Sequence, residues 1–155
     1  MAVYLGVSRT LSLLDSEIKE KSFWCIHTRS QPVQPGDYLL LYVPVTVSKI
    51  KNGIKQIYLI TTGPTDITRS ECSSRNMVSV ETQLLMTLNN GITIREMKRD
   101  QTVQKWGAIG RNMQGVTFSM NYAIWSSLKS LIANKNPDAI PLLNDISGSL
   151  EKTRN

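Results

Sequence analysis

The sequence is poor in the residues that most often build reactive or cross-linked sites. Its 155 residues include two cysteines and one histidine, and aromatic residues make up 6% of the chain. Cys25 and Cys72 lack the spacing of a zinc site, and we expect them to be free thiols in a reducing compartment. His27 has no carboxylate or nucleophile beside it in sequence, and neither a phosphate-binding glycine loop nor a nucleophile elbow is present. These absences predict a protein that is not an enzyme and uses no metal or other cofactor.

Long hydrophobic runs are also missing. The longest one, Tyr38 to Val45, is far shorter than the ~20 residues of a transmembrane helix, and the N-terminal MAVYLGVSRT lacks the features of a signal peptide. We therefore expect a cytoplasmic protein with no membrane partner. A hydrophobic content of 41% argues against a disordered chain, and 155 residues favour one domain. We predict that this domain covers residues 1–146 and that residues 147–155 form a flexible tail.

The chain carries an excess of positive charge. It has 18 lysine and arginine residues against 12 aspartate and glutamate residues, and its net charge is +6. An anionic partner such as nucleic acid would suit this excess. The alternative is a soluble protein whose positive surface has no such partner, and charge alone leaves both interpretations open.

Two apolar segments, Phe23–His27 and Tyr38–Val43, have the composition of strands and are separated by a loop. Gln34-Pro35-Gly36-Asp37 precedes the second segment and predicts a tight turn, because proline presets one dihedral angle and glycine accepts a positive one. The second segment is apolar on both faces, as expected for a strand in the core of a barrel. We interpret the two segments as the strands of a hairpin.

The rest of the chain alternates between strands and helices. Thr93 and Glu96 match a capping box, which predicts a helix from about Ile94. The other predicted elements are strands at Met1–Val7, Ile54–Thr62, Met77–Leu88 and Val116–Phe118, a turn at Asn89–Gly91, a loop at Gly107–Gly115, and helices after Ser8, from about Asn121 to Ala133, and over Asp138–Ile146.

The order of these elements from Val3 to about Pro137 resembles that of the PUA-like superfamily, and within it the EVE domains, which are related to the YTH readers. The residues that carry the resemblance are Val7-Ser8 after the first strand, Gln34–Asp37 before Tyr38–Tyr42, Ile92–Met97 before Trp106, and Trp125 in a late helix. The resemblance implies an α+β fold in which helices flank a small, strongly bent β-barrel. It also implies nucleic-acid binding, with a modified base held in an aromatic pocket.

The predicted base-binding pocket combines the resemblance with local chemistry. By resemblance, Trp24 corresponds to the tryptophan of the aromatic cage and Ser8 to the residue after the first strand that lines the same pocket. Trp106 lies near two amide side chains, which can both donate to and accept from a base edge. The predicted pocket residues are Ser8, Trp24, His27, Trp106, Asn112 and Gln114. Two alternatives remain open: Trp24 as a core residue, and Trp106 as a cover over one end of the barrel.

A second set of residues is predicted to hold the nucleic-acid backbone. Arg95, Lys98 and Arg99 lie at i, i+3 and i+4, so a helix places them on one face that could follow the phosphates. The alternative is a solvated face that Glu96 and Asp100 partly neutralise. The full predicted set is Arg29, Arg95, Lys98, Arg99, Lys105 and Arg111.

The function favoured by these observations is a module that binds DNA or RNA and reads an extruded, modified base. An effector protein, fused or associated, is a further expected partner. Two alternatives remain: an enzyme that acts on RNA or a small nucleotide, and a protein-interaction barrel that binds no nucleic acid.

Overall fold

Six strands and four helices make up the described part of the chain. The computed structural model describes residues 2–8, 23–27, 33–47, 49, 52–63, 77–113 and 117–154. The strands are β1 Val3–Val7, β2 Phe23–His27, β3 Tyr38–Val43, β4 Gly53–Ile60, β5 Met77–Ile92 and β6 Thr117–Ser119. The helices are α1 Ile94–Arg99, α2 Gly107–Gly110, α3 Tyr122–Lys135 and α4 Ile140–Arg154, with 3₁₀ turns at Val103–Lys105 and Pro137–Ala139. The helix predicted after Ser8 lies outside the described residues.

The strands form one sheet in the order β2-β5-β4-β3-β1-β6. β1 and β3 run parallel, and the other neighbouring pairs are antiparallel. β2 pairs with β5 and not with β3, so the predicted β2–β3 hairpin is wrong. The apolar β3 is buried on both faces in the middle of the sheet, whereas β2 lies at one end of the strand order.

Two hydrophobic cores cover the two faces of the sheet. The helix core contains Leu40 and Tyr42 of β3 together with buried residues of all four helices. The sheet core contains Leu39, Leu41 and Val43 of the same strand. Successive residues of a strand point to opposite faces, so β3 contributes to both cores in turn. This arrangement confirms that β3 is a core strand.

Trp24 joins the first and last strands of the sheet order. It lies on β2, and its indole Nε1 donates a hydrogen bond to Oγ1 of Thr117 on β6, at 3.0 Å. Its ring also covers Gly6 on β1, where a Cβ would come within 2.6 Å of the indole Cζ2. The sheet therefore curls, and Trp24 fills the sheet core with only 6% of its surface exposed.

The start of β3 forms what we call the closed end of the sheet, made by Ala2, Gln34–Tyr38 and Ile60. Asp37 is 5% exposed and accepts hydrogen bonds from the backbone N–H of Ala2, at 2.9 Å, and of Gln34, at 2.8 Å. Gly36 has a φ of 91°, and its N–H donates to the carbonyl of Ile60 at 2.8 Å. The predicted turn is confirmed, and glycine is required there because other residues rarely adopt that φ.

Two helices begin where local sequence signals predict. Thr93 Oγ1 accepts a hydrogen bond from the N–H of Glu96, and Glu96 Oε1 accepts one from the N–H of Thr93, so the capping box of α1 is confirmed. Asn121 caps α3 by accepting a hydrogen bond from the N–H of Ile124 at 2.9 Å. Both caps satisfy N–H groups that have no partner inside the helix.

Two segments near β5 and α2 differ from the prediction. Gly107–Gly110 forms α2, where the sequence predicted a loop. The predicted turn at Asn89–Gly91 is wrong, because these residues continue β5 to Ile92. The side chain of Asn136, after α3, accepts a hydrogen bond from the N–H of Asn90 at 2.9 Å and donates one to its carbonyl at 2.8 Å. A tertiary contact therefore holds these residues extended.

The C-terminal residues also differ from the expectation of a tail that starts at residue 147. α4 continues to Arg154, and Leu150 belongs to the helix core. Ser147 Oγ accepts a hydrogen bond from the indole Nε1 of Trp125 at 3.1 Å. Trp125 is 1% exposed, in agreement with its predicted place in the core.

Cys25 takes part in a disulfide, so the expectation of a free thiol is wrong for this residue. Cysteine number and spacing alone do not tell which sulfur atoms the fold brings into contact. Cys72 lies outside the described residues. Within the described chain, no helix is long and apolar enough to cross a membrane.

Candidate functional site

An open cavity of about 1070 Å³ lies where the parallel strands β1 and β3 end. The end of β1, the turn between β3 and β4, the start of α1 and the turn after α2 form its walls. The described lining residues are Val7, Ser8, Tyr42, Pro44–Val47, Asn52, Thr93–Arg95, Asn112 and Met113. We call this region the open end of the sheet.

The strand side of the cavity is buried, hydrogen-bonded to the sheet and uncharged. The N–H of Ser8 donates to the carbonyl of Tyr42 at 2.9 Å, which extends the β1–β3 pairing by one residue beyond β1. Ser8 is buried, and Tyr42 is 5% exposed. Burial raises the pKa of the Tyr42 phenol above its ordinary value of 10.0, so this group is neutral at physiological pH.

The helix side of the cavity is positive. The capping box that starts α1 positions Thr93, Ile94 and Arg95 along the wall. Arg95 is exposed, and it has no ion-pair partner among the residues that the structure describes. None of the described lining residues carries a carboxylate. This wall therefore favours an anionic ligand or one with exposed acceptor atoms.

The third wall is a turn with unusual backbone geometry. Asn112 has a φ of 51° and Met113 a φ of 60°, both in the left-handed region. Their N–H groups donate to the carbonyls of Ile109, at 2.9 Å, and Ala108, at 2.8 Å, which closes the end of α2. Asparagine tolerates this conformation, but methionine is strained in it, and such strain is common at functional sites.

Comparison with solved structures identifies the fold. A protein from Pseudomonas putida aligns with a TM-score of 0.61 at 12% identity, over 84% of this chain and 99% of that one. A protein from Leishmania major aligns with a TM-score of 0.60 at 12% identity, over 86% of this chain and 96% of that one. Human THYN1, solved in complex with DNA that contains 5-methylcytosine, aligns with a TM-score of 0.53 at 14% identity, over 85% of this chain and 98% of that one.

The chain has the fold of the PUA-like EVE domains. This confirms the predicted α+β architecture with a bent barrel and flanking helices. No family model matches the sequence, and no curated protein matches it either. The EVE fold was therefore recognisable in the order of the elements, while pairwise sequence identity to these solved structures is low.

The EVE fold brings only some of the predicted pocket residues to the cavity. Ser8 and Asn112 line it. Trp24 and Trp106 do not: Trp24 belongs to the sheet core and Trp106 to the helix core. Of the described lining residues, only Tyr42 is aromatic.

Trp106 has its own contacts on the helix side of the sheet. It is 8% exposed, and its Nε1 donates to the carbonyl of Ser119 at 2.8 Å. Its ring meets Phe118 edge to face, with ring centroids 6.4 Å apart. The roles of both tryptophans in base binding stay predictions. The side chain of His27, together with Gln114 and Arg29, lies outside what the structure describes.

The described members of the predicted backbone-binding set lie on the surface. Arg95, Lys98, Arg99, Lys105 and Arg111 are all exposed, and the first three belong to α1 as the capping box predicts. Lys98 Nζ donates a hydrogen bond to Oδ1 of Asn112 at 3.3 Å, which links α1 to the strained turn. Their contacts with phosphate stay predictions.

Several lining residues had no functional signal in the sequence. The sequence indicates only a core strand for Tyr42 and only a helix cap for Thr93. Met113 has a left-handed φ that its residue type does not suggest. No cluster of three or more potential metal ligands occurs among the described residues.

Proposed function

We propose that this protein is a nucleic-acid-binding module that takes one extruded, modified base into the cavity at the open end. The observation that carries the proposal is the cavity itself, with a volume of about 1070 Å³ and no carboxylate among its described lining residues. Ligand sites of this kind combine an apolar lining with a few polar groups that fix orientation.

The shared fold and the charge of the chain support nucleic acid as the partner. Human THYN1 has the same fold and was solved with DNA that contains 5-methylcytosine. The net charge of this chain is +6. The exposed cations of α1 start at the cavity with Arg95, so a backbone that follows them would deliver a flanking base to the open end.

The lining suits the flat face and the polar edge of a base. Ile94, Met113 and the ring of Tyr42 supply apolar surface, while Arg95 and Asn112 supply polar groups. Base stacking on side chains contributes ~1–3 kcal/mol. Extrusion of a base costs a few kcal/mol, least when the base is modified or mismatched, so contacts to the phosphates must offset the difference.

Fluorescence anisotropy tests this proposal. The probes are labelled single- and double-stranded DNA and RNA oligonucleotides, matched except for one modified base, at two salt concentrations. We expect salt-sensitive binding with a preference for one modified probe. Arg95→Ala should weaken binding by roughly 10- to 150-fold, because a charged hydrogen bond contributes ~1.5–3 kcal/mol.

Lys129→Ala is the matched control, because it removes the same charge from α3, which contributes no described residue to the cavity. We expect it to change affinity far less than Arg95→Ala. Equal effects of the two substitutions would contradict binding at the cavity. Failure of the wild-type protein to bind any probe would contradict the proposal as a whole.

A further inference from the structure

We infer that Lys98 fixes the orientation of the Asn112 side chain, so that the cavity presents hydrogen-bond donors to an acceptor oxygen of its ligand. The inference rests on the proposed function, because it specifies the ligand chemistry of the same cavity. It makes Asn112 a specificity-determining residue and Lys98 a positioning residue.

The contact between the two side chains has only one chemical orientation. Lys98 Nζ lies 3.3 Å from Oδ1 of Asn112. An ammonium group donates hydrogen bonds and cannot accept them, so the amide oxygen, and not the amide nitrogen, must face Lys98. The amide NH₂ of Asn112 then points away from Lys98, and no described residue accepts a hydrogen bond from it.

The backbone conformation fixes the starting position of the Asn112 side chain. Asn112 has a φ of 51°, and hydrogen bonds from its own N–H and from that of Met113 anchor the turn to α2. Met113 is 5% exposed, so its buried side chain ties the turn to the helix core. Asn112 lines the cavity and is exposed. With the turn anchored and the amide oxygen held by Lys98, the inference assigns the remaining amide donors to the cavity side.

Arg95, the one charged residue among the described lining residues, matches the amide donors of Asn112. Arg95 also carries donors only, and none of the described lining residues is acidic. A ligand edge rich in acceptors therefore fits this wall, whereas an edge that presents an amino group would face donors. Two sources supply such an acceptor: a carbonyl oxygen of the extruded base, or an oxygen of the adjacent phosphate.

This inference changes the role expected for Lys98. The sequence predicts a phosphate contact, which would weaken binding to all probes alike and would lower the salt dependence by roughly one counterion. A positioning residue acts through Asn112, so its loss should change the preference for the base and should not add to the loss of Asn112.

The experiment compares two labelled DNA duplexes, one with a single 5-methylcytosine and one with an abasic nucleotide at the same position. The variants are Asn112→Ala, Lys98→Met, the double variant and Lys98→Arg. Arg99→Met is the matched control, because Arg99 is the exposed neighbour on α1 and has no ion-pair partner among the described residues. Thermal unfolding of each variant shows whether the fold is retained.

We expect the wild-type protein to prefer the duplex that carries the base. Asn112→Ala and Lys98→Met should each lower that preference by about tenfold, and the double variant should lower it no further. Lys98→Arg should restore the preference, because arginine also donates only. Arg99→Met should weaken binding to both duplexes alike and leave the preference unchanged.

Four outcomes discriminate the interpretations. If Lys98→Met behaves like Arg99→Met, or if its effect adds to that of Asn112→Ala, the inference is wrong and the proposed function stands. If the wild type binds both duplexes equally, while Asn112→Ala and Lys98→Met weaken both non-additively, the acceptor is a phosphate oxygen and Asn112 does not determine specificity for the base. If the wild type binds both duplexes equally and neither variant weakens binding, the inference is wrong. If the wild type binds neither these duplexes nor the other oligonucleotides, the proposed function and this inference are both wrong.

Discussion

The two ends of the parallel β1–β3 pair use their polar groups in different ways. At the closed end, the carboxylate of Asp37 is buried and accepts hydrogen bonds from two backbone N–H groups of the same fold. At the open end, Arg95 is exposed without an ion-pair partner in the described chain, and Asn112 is held in a left-handed conformation. The first arrangement stabilises the fold, and the second leaves donors available to a ligand.

This difference shows how the function of a polar residue can be inferred from its partners. A buried polar group that is fully paired contributes to stability, because its loss leaves donors without acceptors. A polar group beside a cavity that is held in place but keeps some donors unpaired contributes little to stability and is available for binding. Substitutions at the two ends should therefore separate stability from affinity.

The largest effect is expected at Trp24, which belongs to the sheet core and to neither end. Trp24→Ala should lower the free energy of unfolding by ~3–5 kcal/mol, because it removes a large buried side chain that covers Gly6. Thr117→Val removes only the hydrogen bond to the indole and should cost about 1 kcal/mol. Chemical denaturation measures both values. Loss of base preference at unchanged stability would instead place Trp24 in the binding site.

At the closed end, Asp37→Ala should lower the free energy of unfolding by about 3 kcal/mol, because the N–H groups of Ala2 and Gln34 lose their acceptor. Asp37→Asn should cost less, since its carbonyl oxygen can still accept one of these bonds. Urea denaturation gives the free energy, and anisotropy gives the affinity of the folded protein. An Asp37 variant with normal stability but weak binding would contradict the assignment of the closed end to stability and the open end to binding.

A smaller change in stability is expected when the pH is lowered, because Glu96 on α1 becomes protonated. Burial by itself would raise the pKa of Glu96, but hydrogen bonds from Lys135 and Thr93 and the charge of Lys135 hold it below its usual 4.5. The folded state therefore binds the proton of Glu96 more weakly than the unfolded state does. The stabilisation by ionised Glu96 is complete above about pH 4.5, and it is lost as the pH falls through the lowered pKa of the folded state.

Because Glu96 is partly exposed, we expect this contribution to be below about 1 kcal/mol. Unfolding measured between pH 7 and pH 3 tests it. Glu96→Gln keeps an oxygen for the cap but removes the charge, so its stability should vary less with pH over that range. An unchanged pH dependence in this variant would show that the ion pair with Lys135 contributes nothing measurable.

The smallest change in stability is expected for Asn112→Gly at the open end. Glycine adopts a φ of 51° without steric cost, so the free energy of unfolding should change by less than about 0.5 kcal/mol. Affinity for the modified duplex should nevertheless fall, because the amide donors are gone. A thermal shift assay and anisotropy on the same samples measure both quantities. A large loss of stability would mean that Asn112 belongs with the structural residues of the closed end.

Much of the secondary structure follows from local chemistry and could be predicted. The capping box at Thr93, the cap at Asn121 and the turn at Gly36 each depend on residues a few positions apart. The pairing of β2 with β5 could not be predicted, because the two strands share no local signal. Asn89–Gly91 has turn residues, yet Asn136 holds this segment in β5.

Some of the residues named from the sequence line the cavity, and their roles in binding stay predictions. Ser8 and Asn112 line the cavity, and Arg95 lies on α1 at its edge. The position of Trp24 could not be derived from the sequence, since either face of an edge strand can carry an aromatic residue. Tyr42 and Met113 had no signal at all, because a core residue and a wall residue of an apolar cavity have the same composition.

By itself, the sequence determined most of the elements, the caps at Thr93 and Asn121, the turn at Gly36, the positive charge and the order that resembles an EVE domain. Each of these depends on composition or on residues close in the chain. Only the tertiary structure decided which strands are neighbours, that Trp24 fills the sheet core, and that Ser8, Arg95 and Asn112 meet at one cavity. These features depend on contacts between distant segments, whose free energy is not expressed in any local pattern of residues.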